Sequence, residues 1–190
     1  MEQDQMQAET PSYWPSVIIG ALVVTIVTSV IVTAYLYYLA SAEPSMGLLI
    51  KSGLMMPISC LFGLLGGIIS TRHYAKTNEI TFAIGKGALI GLYTGLVASV
   101  FSLLLSQLWQ FIDPALMENF SNNLIEAMGS ANMPEAQYNE TVDKMRADFA
   151  NQQTLVGVLK GGAINAAVLG IVNAISGMIG AKIFASPEEE

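Results

Sequence analysis

The chain has 190 residues, 53% of them hydrophobic and only 12% charged, with a net charge of −7 and a mean hydropathy of +0.52. A soluble domain carries about 25% charged residues, so long apolar blocks of about 20 residues, each a candidate membrane span, are the first expectation. The acidic balance excludes a nucleic-acid partner; the single cysteine, Cys60, excludes intramolecular disulfides and cysteine-built metal clusters; and the single histidine, His73, excludes any site that needs two.

Residues 1–14 read as a disordered acidic tail. Glu2, Asp4 and Glu9 stand there with no Lys or Arg, which is not the basic start of a secretory signal. The first apolar block, residues 15–40, is therefore expected to be a retained span. Tyr13 and Trp14 at its start and Tyr35, Tyr37 and Tyr38 near its end suit the two membrane interfaces. Its β-branched interior would suggest a strand in water, but lipid forces internal hydrogen bonding and hence a helix. Ala21, Thr25, Ser29 and Thr33 recur at a spacing of four.

Glu43 and Pro44 mark a tight turn before a second span, residues 46–70. Pro57 inside it leaves the Gly53 carbonyl without its usual donor, so a kink is expected there. Ser59, Gly63, Gly67 and Thr71 form another small-residue line, and residues 72–80 read as a polar loop.

The third span, residues 82–109, carries the clearest pattern. Ala83, Gly87, Gly91, Gly95 and Ser99 recur every four residues. Positions four apart share one helix face, so these residues make a ridge almost bare of side chains. In a membrane such a ridge, a glycine-zipper pattern, admits another helix at close range.

Asp113-Pro114 then suits a helix start, with Asp113 as N-cap and Pro114 in the first turn. The helix expected over residues 114–128 presents Leu116, Phe120, Leu124 and Met128 on one face and ends at Gly129 in a left-handed cap. A second helix, residues 134–152, has the apolar line Tyr138, Val142, Met145 and Phe149. Its other faces are charged. The two make an extramembrane hairpin over residues 113–152.

The last span, residues 154–184, has the small line Gly162, Ala166, Gly170 and Ala174, with Asn165 and Asn173 on a neighbouring face. An acidic tail, residues 185–190, follows. The expected fold class is all-α: one membrane domain, residues 15–184, built as an integral membrane four-helix bundle with an amphipathic helical hairpin between spans three and four.

Four spans, FIDPALMENF after the third, the stretch GKGALIGLYTGLVASVFSLLL within it, the segment from Pro134 to Phe149 and the Gly-rich last span together carry a resemblance. The chain resembles the bacterial membrane-protein family called domain of unknown function 4199, common in Bacteroidota. The resemblance implies this topology and a bacterial inner membrane, and it implies no activity.

The small-residue lines are expected to be packing surfaces, with a homodimer face as the alternative. Asn165 and Asn173 are expected to act as interhelical glue; the alternative is a polar path shared with Thr25, Ser29 and Thr33. Lys51 and Lys160 begin their spans on one side and are expected to snorkel, with anionic-lipid heads as the alternative ligand.

No carboxylate lies at mid-membrane depth, which weighs against an ion-coupled pump. No catalytic, cofactor or metal motif stands out, so no enzyme is expected. Arg72, Lys76, Lys86 and Lys182 favour cytoplasmic termini, against Lys51, Lys160, Lys144 and Arg146 on the other side. The function expected is a non-catalytic structural or accessory subunit that meets membrane lipid and either a protein partner or further copies of itself. A small transporter or channel, or an anionic-lipid binder, is the alternative.

Overall fold

The computed structural model describes residues 11–130 and 133–185. Among these it has helices and no strand: α1 (Trp14–Ala40), α2 (Met46–Gly53), α3 (Met55–Gly63), α4 (Leu65–Asn78), α5 (Ile84–Ile112), α6 (Ala115–Gly129), α7 (Glu135–Gln152) and α8 (Leu155–Phe184). The helices α2, α3 and α4 run on from one another as a single interrupted span. With α1, α5 and α8 they give four helices long and apolar enough to cross a membrane.

Local chemistry sets several of these boundaries. Pro15 in the first turn of α1 has no N–H to leave unpaired. Thr154 caps α8, its hydroxyl accepting from the Gly157 N–H at 3.0 Å. Pro57 acts at the residue its missing donor dictates. The carbonyl four residues earlier belongs to Gly53, and the helix breaks at Leu54, whose N–H steps back to Lys51 O at 2.9 Å. A second interruption at Leu64, beside Gly63 and Gly66, has no proline behind it.

Three sequence expectations are corrected. Residues 72–80 are not a loop, because α4 continues to Asn78. Tyr74 explains the extension. It is fully buried against Val17 and Ile90, and its hydroxyl donates to Pro11 O at 2.8 Å. That burial outweighs the polarity of its neighbours. The helix ends instead at Glu79, which takes the left-handed conformation at φ 52°.

Asp113 does not cap α6. Its Oδ2 accepts from the Tyr37 hydroxyl at 2.7 Å, joining α5 to α1. Gly129 has no left-handed conformation; it is the last helical residue, followed by Ser130 in ordinary helical geometry.

The bundle is built around α5 and α8, which lie antiparallel, with Gly87 beside Ala181 and Leu103 beside Gly162. The helix α4 packs across both, and α1 covers α4 and α5. At one end, Ser16, Val17, Gly20, Ser70, Tyr74, Ile90 and Ala181 are all buried. Toward the other end the outer faces open. Ile50, Met56, Leu61, Leu155, Val156 and Leu159 are well exposed, as suits side chains that face acyl chains.

There α6 closes the structure. Leu39 and Leu48 pack with Phe120, Leu124 and Ala127, and Met145 and Phe149 of α7 join them. Asn123 fastens the joint, its side-chain amide donating to Ala40 O at 2.7 Å and Ala42 O at 3.1 Å. The Ala40 carbonyl ends α1 and has no intrahelical donor, and the Ala42 carbonyl lies in the turn that follows. Asn123→Leu is expected to free the hairpin, raising amide exchange across residues 115–152 by about tenfold, the effect of about 1.4 kcal/mol. Unchanged exchange would show that apolar contact alone holds α6.

Candidate functional site: the small-residue seam and the hairpin

The α5 ridge meets α8 backbone to backbone. Gly87, Gly91 and Gly95 are buried. A Cβ on Gly91 would fall inside the Asn173 carbonyl, and one on Gly95 inside the Leu169 carbonyl. A Cβ on Gly87 would meet the Ala181 side chain and the Gly177 carbonyl. In the reverse sense, one on Gly177 would stand 3.0 Å from Gly91 Cα. Ser99 continues the buried face, its hydroxyl bonding Leu96 O at 2.7 Å, while Ala83 lies exposed before the first turn of α5. The ridge is thus consumed inside the chain and is not free as a face between copies.

The face α8 presents to this ridge is Leu169, Asn173, Gly177 and Ala181, one step round from the line singled out in the sequence. Gly162 and Gly170 of that line face leucine side chains of α5: an added Cβ would come 2.6 Å from Leu103 Cδ1 and 3.2 Å from Leu92 Cδ1 respectively. Ala166 and Ala174 are half-buried.

On α4, Gly67 lies against Asn173, Ser176 and Gly177, whereas Gly63 of α3 meets the side chains of Leu169 and Val172; Ser59 is half-buried. Sequence reasoning missed Gly20, Gly66 and Gly180, each of which touches another helix: Gly20 on Ser70, Gly66 on Asn173 and Gly180 on Thr71. The Gly66-Gly67 doublet was the signal, since adjacent glycines serve two neighbouring helices at once.

The buried polar groups are spent on packing. Asn173 is fully buried; its Nδ2 donates to Leu169 O at 2.9 Å, and its Oδ1, which has no hydrogen-bond partner, faces Gly66. The hydroxyls of Ser70 and Thr94 lie 2.7 Å apart and 2.7 Å from Gly66 O and Ile90 O respectively. One hydroxyl donates to the other, and the second proton goes to a carbonyl. Thr25 donates to Ala98 O at 3.3 Å.

Asn165 and Thr33 are half-buried elsewhere on their helices, and Ser29 lines an apolar groove on the lipid side. The structure therefore does not gather Asn165, Asn173, Thr25, Ser29 and Thr33 along one path. Asn173 and Thr25 are locked in helix contacts, and α4 and α5 stand between α1, which carries the hydroxyls, and α8, which carries the asparagines.

Lys51 is exposed on α2, its ammonium donating to the Tyr38 hydroxyl at 2.8 Å while Tyr35 donates to its carbonyl at 2.9 Å. Lys160 is exposed on α8. The helix α2 packs on α1 and α6, and α8 on α3, α4, α5 and α7, so the two lysines stand on different parts of the bundle.

The hairpin offers a different surface. Of 18 residues in α7, only Val142 is buried; Tyr138, Met145 and Phe149 are half-buried. Glu135, Glu140, Asp143 and Asp148 point outward with Lys144 and Arg146, and Glu118 and Glu126 of α6 are exposed as well.

The seam makes a sharp contrast testable. Gly91→Ala drives a methyl into backbone, which has no rotamer to yield, and is expected to cost about 2 kcal/mol or more. Gly85→Ala and Gly161→Ala meet nothing within 4 Å and are expected to be neutral or stabilising. Thermal unfolding of the three variants in detergent, followed by tryptophan fluorescence, measures this; equal midpoints would remove the seam.

No curated protein and no solved structure matches this chain. One family model does match, over residues 17–179, from the first turn of α1 to the last turns of α8. The resemblance carried by the third span, FIDPALMENF and the Gly-rich last span is correct, and the chain belongs to the family described as "Protein of unknown function (DUF4199)".

Proposed function

We propose that this membrane protein is a non-catalytic accessory subunit of the bacterial cytoplasmic membrane, and that its hairpin is the surface that meets a protein partner. The supporting observation is the way α7 is held. Ordering a polar helix costs about 1–2 kcal/mol of backbone entropy per residue, and α7 recovers little of that by its own burial. It stays ordered because α6 is fixed to α1 and α2 through Asn123 and the Phe120–Leu124 cluster. The result is a platform with a charged outer face.

The transport alternative has less to support it. The intramembrane amide and hydroxyls at the centre are closed in helix contacts, and the groove at Ser29 is walled by Ile26, Val30, Leu105, Leu108, Trp109 and Ile112. Under this proposal the termini are cytoplasmic and the hairpin faces out, because Arg72, Lys76, Lys86 and Lys182 lie toward the end where α1 begins and α8 ends.

Reversing Glu135, Glu140 and Asp143 to lysine is expected to lose a copurifying protein in a mild-detergent pull-down from the native membrane, while expression and monodispersity are kept. A partner list identical to that of the unaltered protein would overturn the proposal.

A further inference from the structure

The groove between α1 and α5 has a chemical feature at its mouth. It encloses about 280 Å³ and is lined by Ile26, Ser29 and Val30 from α1 and by Leu105, Leu108 and Ile112 among others from α5. Nearly all of its exposed wall is hydrocarbon, and Ile26, Val30, Leu108 and Ile112 remain largely uncovered by protein. On a lipid-facing surface, such a depression is filled by an acyl chain.

Directly beyond Ile112, the Asp113 carboxylate reaches across to α1 and accepts from the Tyr37 hydroxyl at 2.7 Å. Asp113 adjoins the lining residue Ile112, so this bridge lies just past the interfacial end of the groove. The donor is a neutral hydroxyl and takes up one acceptor site, which leaves the carboxylate oxygens further acceptor sites. Of the lysines that begin spans on this side, Lys51 is engaged with Tyr38 on the α2 side and Lys160 stands on α8.

Depth fits the same occupant. Tyr37 follows Val30 by seven residues, a rise of about 10 Å. The headgroup layer on each side of a bilayer is about 5–8 Å thick. A phospholipid with its head at Asp113 therefore lays its first acyl carbons against Val30 and Leu108, the latter five residues or about 7.5 Å before Asp113. A carboxylate repels an anionic head and attracts an ammonium. We propose that the α1–α5 groove is a binding site for a phospholipid whose head ends in a primary ammonium, with Asp113 as the headgroup ligand and Tyr37 as the residue that positions it.

The test is native mass spectrometry of the full chain released from detergent with equal amounts of phosphatidylethanolamine, phosphatidylcholine and phosphatidylglycerol. Retention of the ethanolamine lipid is expected to exceed that of each of the others by about five-fold, the ratio an interfacial ion pair supports. Asp113→Asn keeps an acceptor for Tyr37, and so the bridge, but loses the charge; it is expected to abolish the preference. Val30→Trp fills the groove and is expected to reduce retention of the ethanolamine lipid while thermal stability is unchanged. Equal retention of the three lipids overturns the proposal, as does a preference that survives Asp113→Asn. If Val30→Trp unfolds the protein, the lipid ratio in Asp113→Asn decides alone.

Discussion

The contact on which the rest of the structure depends is the meeting of α5 and α8 at backbone distance. Between helices in lipid there is no hydrophobic drive, because acyl chains are as apolar as leucine. Attraction must come from dispersion and weak dipolar contacts, which fall off steeply with distance. Gly87, Gly91 and Gly95 remove the side chains that would hold the helices apart, and Leu169, Asn173 and Gly177 present carbonyls to the bare ridge. With α5 and α8 drawn together, Gly66 and Gly67 let α4 settle on the same stretch of α8, and Gly20 brings α1 onto α4. One constraint, the absence of Cβ atoms at these positions, thus sets the relative placement of all four spans.

Polar side chains take second place at this centre, and mostly look after themselves. Thr71, Asn173 and one member of the Ser70–Thr94 pair bond a carbonyl four residues back in their own helix. This arrangement satisfies a group in hydrocarbon without a partner helix, so it adds little to association. The pair Ser70–Thr94 and the bond from Thr25 to Ala98 are the exceptions that cross between helices. Asn173 has an unsatisfied oxygen against Gly66, the cost of placing an amide where three helices converge. Outside the membrane the logic reverses. Asn123 serves another element's carbonyls rather than its own, and in doing so it joins the hairpin to the bundle.

Much of this was legible in the sequence because lipid leaves few choices. A block of apolar residues long enough to cross must be a helix, and bare positions every four residues must lie on one face. The ridge on α5 was therefore readable from Gly87 to Ser99, though not at Ala83, which lies exposed before the helix. Its counterpart on α8 was not: Asn173 and Leu169 contribute carbonyls, and any residue type can do that, so only Gly177 and Ala181 on the face that α8 turns inward are small. The extension of α4 was hidden for a related reason. Tyr74 looks like an interfacial residue in a polar stretch, and only tertiary packing against Val17 and Ile90 buries it. Asp113 misled in a more instructive way. Its position before Pro114 fits a cap, but a tyrosine 76 residues away along the chain claims the carboxylate first. Local rules rank local partners and have no view of distant ones.

The most direct test of this account is the distance between the α protons of Gly91 and Gly177 in the folded protein. In detergent-solubilised samples, nuclear Overhauser spectroscopy reports proton pairs at van der Waals contact, and mixed isotope labelling separates contacts within one chain from contacts between chains. The account predicts a strong cross-peak between Gly91 and Gly177 α protons in uniformly labelled protein and none in the interchain-filtered spectrum. Absence of the cross-peak, or its appearance only between chains, would contradict the seam as the organising contact of the bundle.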